Sequence, residues 1–345
     1  MYSNKAGIPI NLKPPAMLKI IAILAILPLF VSAQYTYKNL DVNFLSKNTE
    51  AAVYTYENLR LYPITAKESF RNEFKSIGKY MTLKDAIEKK KVKITESGSD
   101  GSVNNLMIEN NSKDTIIIIT GDVIKGGKQD RIVNQDIVLI PSSGKKNVSV
   151  YCVEAGRWSS SSRNVTQVAR NSAASSSPAE FKEYYNKGSV SLRKVVEKEK
   201  DQSKVWSKVD DLNASNKTNT ATKTYTAMTQ STDFTKKLNQ YITFFKSKFD
   251  KDSSVVGVVI ITGDKVIGCD MFATHDLFIK QYESLLHSYA TEAIVSGKPV
   301  NITSEKVKSY MDKLLANETV QQTTLKEKGS AFIEKGKKIR VTAFD

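Results

Sequence analysis

The sequence GDVIKGGKQDRIVNQDIVLIPSSGKKNVSVYCVEAGRW, residues 121–158, is the part of the chain that decides the fold. Short runs rich in β-branched residues alternate in it with turns that contain glycine and charged side chains. Runs of this length and composition are typical of buried strands rather than of helices. The stretch therefore predicts neighbouring strands whose turns present polar groups.

Further strands and helices are predicted on both sides of this stretch. Runs rich in β-branched and aromatic residues predict strands at Tyr54–Ile64, Thr115–Thr120, Arg131–Ile140, Val148–Val153, Val255–Thr262, Lys265–Phe272 and Ile339–Phe344. Apolar residues at helical spacing, with a capping box at Thr82–Asp85, predict helices at Leu83–Lys90, Pro178–Leu212 (broken near Asn186–Gly188), Phe234–Phe249, Asp276–Val295 and Ser304–Asn317. These elements predict an α+β fold, with a mixed or mainly antiparallel sheet flanked by several helices in a single large domain.

The first thirty-three residues have the features of a secretory signal peptide. Lys19 precedes the apolar run Ile20–Phe30, and Val31–Ala33 supplies small residues for cleavage before Gln34; Met17 could be the true start. The run is too short to cross a bilayer, which needs about 20 apolar residues. We therefore expect an exported protein, periplasmic or secreted, without a transmembrane segment.

The rest of the chain is expected to contain one domain. Residues 34–53 are interpreted as an N-terminal extension, and residues 54–345 as a single α+β domain. Two stretches, residues 159–177 and residues 213–232, are rich in polar residues and poor in apolar ones. They predict long polar loops.

The chain is strongly basic, with a formal net charge of +15. Such an excess favours anionic partners, although it is also compatible with a plain soluble surface. The basic residues are scattered among acids, as in Glu197–Lys200, and no dense basic tract with interleaved aromatic residues indicates a nucleic-acid groove. An anionic small molecule is therefore the partner to expect, while the oligomeric state is left open.

Cysteine and histidine are scarce. Cys152 and Cys269 are the two cysteines, and they could form a disulfide in an oxidising compartment. The two histidines, His275 and His287, do not stand at ligand spacing with a cysteine or with each other. The sequence therefore indicates neither a metal site nor a cofactor.

The glycine-rich turn carries the first candidate site residues, Lys128, Gln129 and Arg131. A phosphate-binding loop needs backbone N–H groups and a nearby cation, often at a helix N-terminus. Here a strand-like run follows the turn, and the Gly-Lys-Ser/Thr ending of a P-loop is missing. The turn is therefore interpreted either as an anion-binding loop or as a plain basic turn.

The second group of candidates lies at the end of the Val148–Val153 run. Glu154 could act as a general acid or base, accept hydrogen bonds from a ligand, or pair with Arg157 or Arg131. Trp158 could stack on a ligand ring, although packing is its commoner role. Cys152 lacks a histidine partner in the sequence pattern, which argues against a nucleophilic role.

The predicted helix after Gly188 supplies the last two candidates. At 100° per residue, Glu199 and Gln202 fall within an apolar stripe that includes Val195 and Trp206. A carboxylate in such a stripe must be paired or must line a wet cavity, since burying it unpaired costs several kcal/mol. Glu199 is therefore expected either in an interior ion pair or, with Gln202, in a site beside the strands of residues 121–158.

Several motifs, in order, resemble the ARG and Rhodanese-Phosphatase-superfamily-associated protein domain family. The matching pieces are Met81–Ala86, Gly121-Asp122 with Gly126–Arg131, Cys152–Trp158, Asp201–Trp206, Asp270–Phe272 and Leu285-Leu286. The resemblance covers the chain from about Tyr56 onwards. The name of the family reflects its association with ADP-ribosylglycohydrolases, so the resemblance implies a role near ADP-ribose or NAD chemistry.

Three hypotheses for the function follow. In the leading one, an exported protein binds a phosphate-, nucleotide- or ADP-ribose-like anion, with Glu154 and Gln202 orienting the ligand. The residues expected to bind the anion are those of the glycine-rich loop together with a later arginine: Lys128, Gln129, Arg131 and Arg157. In the second, the protein is a hydrolase of a phosphate or glycosidic linkage, with Glu154 as general acid/base. In the third, it is a non-catalytic extracellular interaction protein whose ion pairs are structural.

Overall fold

The structure is a computed structural model that describes residues 35–44, 48–97, 102, 104–157, 180–218 and 220–345. The predicted signal peptide, Trp158 and the predicted polar loop 159–177 lie outside the described residues. The described strands are β1 (Leu40–Val42), β2 (Thr55–Tyr56), β3 (Leu59–Ala66), β4 (Met81–Thr82), β5 (Val92–Glu96), β6 (Asn105–Asn110), β7 (Ile116–Ile118), β8 (Asp122–Gly126), β9 (Arg131–Val133), β10 (Ile137–Leu139), β11 (Lys145–Cys152), β12 (Glu180–Lys187), β13 (Val255–Thr262), β14 (Lys265–Phe272), β15 (Gly329–Glu334) and β16 (Lys337–Phe344).

The described α-helices are α1 (Asn48–Val53), α2 (Glu68–Phe74), α3 (Leu83–Glu88), α4 (Val190–Lys194), α5 (Gln202–Ser215), α6 (Thr232–Phe245), α7 (His275–Val295), α8 (Ser304–Leu315) and α9 (Glu318–Lys328). A π-helical turn, Val195–Glu199, and a 3₁₀ helix, Tyr225–Gln230, complete them. Within the described part of the chain, no helix is both long enough and apolar enough to cross a membrane.

The largest sheet has seven strands and is antiparallel throughout. Its order is β1-β3-β13-β14-β16-β15, with β2 paired to β3. Every residue of β13 is buried, and α7 packs against that strand. The predicted hairpin is confirmed, because β13 and β14 pair across the turn at Gly263, whose φ of 59° favours glycine.

A second sheet of six antiparallel strands closes on itself in the order β11-β6-β5-β12-β8-β9. Its interior is filled by apolar side chains, which include Ile94, Leu106, Ile108, Ile124, Val133, Val148, Val150 and Phe181. A third sheet of order β10-β7-β4 contains one parallel and one antiparallel pair. The predicted α+β fold of a single domain, with mainly antiparallel sheets and flanking helices, is therefore confirmed.

The segment Glu180–Lys187 is a strand, so the helix predicted there is wrong. It is β12, which pairs with β5 and β8 and closes the six-stranded sheet. Register shifts between Phe181 and Glu183, and again between Tyr184 and Asn186, interrupt the alternation of the strand. Since the period-two pattern identifies a half-buried strand, these irregularities hide β12 in the sequence.

Two further segments differ from the prediction because their sequences are polar. The region 213–232, predicted as a polar loop, contains the Tyr225–Gln230 helix, whose Tyr225 and Met228 are buried. Helix α9 was not predicted, since Gln321 and Leu325 are its only buried residues within the described chain. So little apolar surface leaves almost no periodic signal.

A group of buried ion pairs, the buried ion-pair network, connects the seven-stranded sheet with the segments around it. It comprises Asp136, Arg193, Glu197, Asp270 and Arg340. Asp270 on β14 accepts two hydrogen bonds from Arg193, at 3.0 and 2.6 Å. Arg340 on β16 contacts Asp136 at 2.7 Å and Glu197 at 3.0 Å. The network offsets the cost of burying these charges by pairing each with an opposite one.

Candidate functional site

Polar side chains gather at one end of the closed sheet. Glu96 follows Ile94 by two residues on β5, Arg131 precedes Val133 by two on β9, and Cys152 ends β11. Because alternate strand residues share a face, these side chains point to the same interior as the apolar core. Glu96, Gln129, Arg131 and Cys152, all buried, are called the polar end of the closed sheet.

Arg131 lies inside the polar end rather than on a ligand-accessible surface. It is 0% exposed, and its Nη2 is 3.5 Å from Oε1 of Glu96. Its Nη1 donates to the carbonyl oxygen of Gln129 at 2.9 Å. The structural ion pair proposed for this arginine is therefore formed, but with Glu96 instead of Glu154.

Gln129 and Cys152 form a hydrogen-bonded unit beside Arg131. The Cys152 thiol donates to Oε1 of Gln129 at 3.0 Å, and Nε2 of Gln129 donates to the carbonyl of Glu154 at 2.7 Å. Burial raises the pKa of Cys152 to about 11, against the effect of the nearby Arg131. A protonated thiol is a poor nucleophile, so this cysteine suits a structural role.

The turn between β8 and β9 requires its two glycines. Gly126 and Gly127 have φ angles of 126° and 52°, which side chains rarely adopt. A Cβ on Gly127 would lie 2.3 Å from the Phe181 ring. The next amide, that of Lys128, donates to Oε1 of Glu96 at 2.9 Å. The turn thus packs against β12, and the Lys128 side chain remains partly exposed.

Glu154, Asp130 and Arg157 form a second cluster just outside the polar end. Oε2 of Glu154 accepts a hydrogen bond from the Asp130 amide at 3.0 Å and pairs with Nε of Arg157 at 2.8 Å. Oδ1 of Asp130 accepts from Nη2 of Arg157 at 3.0 Å, and its Oδ2 accepts from the Thr224 hydroxyl at 2.9 Å. Both carboxylates are buried, whereas 33% of the Arg157 side chain is exposed.

Asp130 is the carboxylate of this cluster whose pKa is shifted. Burial raises the pKa of Asp130, and the negative charge of Glu154 raises it further. The Thr224 hydroxyl, the Gly126 amide and Arg157 oppose that shift. A pair of neighbouring carboxyl groups in which one binds a proton more readily is the arrangement that general acid/base chemistry uses.

Gln202 reaches the site, where its side chain forms hydrogen bonds with the backbone of Cys152. Its Oε1 accepts from the Cys152 amide and its Nε2 donates to the Cys152 carbonyl, both at 2.9 Å. The side chain thus imitates the pairing of a neighbouring strand at the end of β11. Gln202 begins α5, so this contact also fixes that helix against the closed sheet.

The expectation that Glu199 lies in an apolar stripe is wrong. Its side chain is 43% exposed and pairs with Lys204 at 2.6 Å. The π-helical turn Val195–Glu199 ends at Lys200, which has a left-handed conformation with a φ of 50°. This turn breaks the regular 100° spacing, and the carboxylate that it buries is that of Glu197.

The sequence left open whether the two cysteines pair. Cys152 and Cys269, both described and both buried, are not joined by a disulfide. Cys152 ends β11 in the closed sheet, whereas Cys269 lies on β14 in the seven-stranded sheet. The structure therefore gives each thiol a separate environment.

Three residues of the site were not among the sequence candidates: Glu96, Asp130 and Thr224. Glu96 had a usable signal, because Val92, Ile94 and Glu96 alternate, which places a charge on an apolar face. Thr224 had none, since it comes from the distant polar segment 213–232 and meets Glu154 through an isolated bridge. Of the predicted site residues that the structure describes, all but Glu199 and Cys269 lie at the polar end or beside it.

Comparison with known proteins identifies the family. No curated protein and no solved structure shows significant similarity to the chain. One family profile, described as the ARG and Rhodanese-Phosphatase-superfamily-associated Protein domain, matches residues 49–343. This match includes the closed sheet, the seven-stranded sheet from β2 onwards and every candidate site residue. The chain therefore belongs to the ARG and Rhodanese-Phosphatase-superfamily-associated Protein domain family.

Proposed function

We propose that the chain binds a small anionic ligand of the phosphate, nucleotide or ADP-ribose class beside the polar end, with Arg157 as its main contact. The observation that carries this proposal is the position of the Arg157 guanidinium. Two carboxylates, Asp130 and Glu154, fix it from the protein side, while a third of the side chain is exposed. An arginine oriented in this way loses little further freedom on binding an anion.

The same geometry assigns supporting roles to the other candidates. Arg131 is fully buried, and Gln129 and Gln202 are hydrogen-bonded to the backbone, so these residues hold the site in shape. Lys128 is partly exposed and follows the glycine turn, where it can add positive charge. The net positive charge, +15 for the full chain with three of these charges in residues 1–33, would attract an anionic ligand from solution.

The binding proposal is tested with Arg157→Ala and a matched control, Arg71→Ala, which removes an exposed arginine from α2. Calorimetric titration with inorganic phosphate, ADP and ADP-ribose measures affinity. Arg157→Ala loses charge-assisted hydrogen bonds worth about 1.5–3 kcal/mol, so each ligand should bind roughly 10- to 150-fold more weakly. The affinity of the control variant should not change.

Two results would contradict anion binding. The first is the absence of binding by the unmodified protein to any of the three ligands. The second is equal affinity in the Arg157→Ala variant. A third pattern favours the hypothesis of structural ion pairs. In that pattern, Arg131→Ala and Arg157→Ala both unfold the protein, and no ligand raises the melting temperature of the unmodified protein.

A hydrolase is the second candidate, and the raised pKa of Asp130 beside Glu154 favours it. We propose that Asp130 would carry the proton in such a reaction and that Glu154, paired with Arg157, would act as the base. Glu154→Gln should then abolish turnover of a phosphate ester or glycosidic substrate while ligand affinity is retained. Unchanged turnover in that variant would exclude Glu154 from catalysis.

Export is part of the proposal. We infer that residues 1–33 direct the chain out of the cytoplasm, so that it meets its ligand in the periplasm or outside the cell. Sequencing the N-terminus of the protein recovered from its native host tests this inference. A start at Gln34 is expected, and an intact N-terminus in the cytoplasmic fraction would contradict export.

A further inference from the structure

Glu96 has a buried carboxylate oxygen without a hydrogen-bond partner among the described residues. The residue is 1% exposed, and its Oε2 is the atom concerned. The other oxygen, Oε1, accepts from the Lys128 amide at 2.9 Å and lies 3.5 Å from Nη2 of Arg131. Oε1 is therefore held in place by its contacts, and Oε2 can still accept a hydrogen bond.

An unsatisfied carboxylate oxygen in a protein interior is costly. Leaving a buried acceptor unpaired costs about 1–3 kcal/mol, and more when the group is charged. Such groups are rare in folded proteins and call for a physical reason. No group of three metal-ligating side chains is found within the described ranges, so a hydrogen-bond donor suits this oxygen better than a metal ion.

Glu96 and Arg157 approach the same short segment of backbone. Oε1 of Glu96 contacts the amide of Lys128, and Nη2 of Arg157 donates to the carbonyl of Gly126 at 2.9 Å. These backbone groups are two residues apart, which corresponds to at most about 7 Å along an extended chain. The two side chains therefore hold the same glycine turn, at backbone groups two residues apart.

We propose that Glu96 is a ligand-contacting residue that accepts a hydrogen bond from a sugar hydroxyl of a phosphorylated sugar whose phosphate lies at Arg157. This inference rests on the proposed anion-binding function and narrows its ligand class. A free phosphate satisfies Arg157 alone, whereas a sugar phosphate also supplies the donor that Oε2 of Glu96 lacks. The polar end would then select the sugar, and Arg157 would select the negative charge of the phosphate.

The test compares inorganic phosphate, ribose and ribose 5-phosphate by calorimetric titration. The variant Glu96→Gln is measured beside Glu180→Gln, which changes an exposed glutamate of β12 in the same sheet. Glu96→Gln should weaken binding of ribose 5-phosphate roughly tenfold more than it changes binding of phosphate, which corresponds to about 1.4 kcal/mol. Glu180→Gln should bind both as before.

A second variant separates recognition from folding, because Glu96→Gln leaves Arg131 without its carboxylate. Glu96→Asp keeps the negative charge for Arg131 but shortens the side chain by one methylene. It too should lose more affinity for ribose 5-phosphate than for phosphate. Thermal unfolding of each ligand-free variant shows whether the fold is intact.

The outcomes distinguish this inference from the proposed function. Equal weakening of both phosphate ligands, or no weakening of ribose 5-phosphate, would overturn the role of Glu96 and leave anion binding in place. Binding of ribose that depends on Glu96, without any binding of phosphate, would overturn the function of Arg157 and support Glu96. If the unmodified protein binds none of the three ligands, both proposals are wrong.

Discussion

Replacing Asp270 by asparagine should destabilise the protein more than almost any other conservative substitution. The carboxylate is 1% exposed and accepts hydrogen bonds from Arg193, from the Tyr289 hydroxyl at 2.8 Å and from the Thr342 hydroxyl at 2.7 Å. Asparagine keeps the shape but removes the charge that balances Arg193 inside the protein. The guanidinium would then remain buried without its counter-ion.

The expected loss follows from that geometry. Removing one partner of a buried ion pair typically costs about 3–5 kcal/mol. For a folded unit of Ser32–Asp345, the entropy of unfolding is about 0.65 kcal/mol per kelvin, so the melting temperature should fall by roughly 5–8 °C. The matched control is Glu199→Gln, which breaks an exposed pair with Lys204 and should shift the melting temperature by less than about 1 °C.

The pH dependence gives a second readout. Burial alone would raise the pKa of Asp270, but Arg193, Arg340 and Thr342 outweigh burial and hold that pKa well below its usual range. A lowered folded-state pKa stabilises the protein above the unfolded-state value near 3.9, and this stabilisation is lost as the pH falls towards the folded-state value. The difference in melting temperature between unmodified protein and Asp270→Asn should therefore be constant from about pH 8 to 5.

Scanning calorimetry between pH 8 and 3 measures both quantities. The difference in melting temperature should narrow below about pH 4. The unmodified protein loses the stabilisation by Asp270 there, whereas the asparagine variant has no group at position 270 to titrate. A variant that melts within about 1.5 °C of the unmodified protein at pH 7 would refute the assignment of a large stabilisation to this carboxylate. A difference that grows on acidification would also refute it.

Three further predictions concern the site. Gln202→Ala removes both hydrogen bonds between this side chain and the backbone of Cys152, so urea unfolding should show a loss of about 1–3 kcal/mol; an unchanged midpoint would contradict this stabilising role. Gly127→Ala places an alanine in a left-handed backbone conformation and its Cβ against Phe181. The free energy of unfolding should therefore fall by about 2–3 kcal/mol in the same assay, and a stabilised variant would contradict this packing. Because burial raises the pKa of Cys152 to about 11 and that of Cys269 further, both thiols should react with Ellman's reagent at pH 8 only on unfolding; rapid modification of the native protein would be inconsistent with their burial.

The elements with strong local signals were predictable from the sequence. The N-cap of the predicted helix is present, as the Thr82 side chain accepts a hydrogen bond from the amide of Asp85. The hairpin of β13 and β14 has two apolar strands and a glycine turn, and it forms where the pattern indicates. In both cases the interactions that define the element lie within a few residues of one another, so one sequence is enough to reveal them.

The elements that depend on distant partners were not predictable in the same way. Strand β12 is stabilised by β5 and β8, and its bulges remove the alternation that would identify it. The burial of Glu197 instead of Glu199 depends on one π-helical turn, which apolar spacing at 100° per residue does not detect. Tertiary contacts decided both outcomes against the local pattern.

The candidate site shows the same division. Cys152, Glu154 and Arg157 are close in sequence, and their neighbourhood was predictable from the end of one strand. Glu96 and Thr224 reach the site from segments far along the chain, so only closure of the sheet brings them there. A site assembled from several strands is therefore visible in the sequence only in part.

Closure of the six-stranded sheet by β12 also has a consequence for folding. The partners of Glu180 and Phe181 in β5 and β8, Thr95 and Gly126, lie 85 and 55 positions earlier in the chain. Contacts of such sequence separation form slowly, because the chain between them must first lose its conformational freedom. Until Glu180–Lys187 pairs with them, β5 and β8 present unpaired edges that can associate with other chains. The proposed ligand binding should consequently appear late in refolding, together with closure of the sheet, and the interval before closure is when the chain is most prone to aggregate.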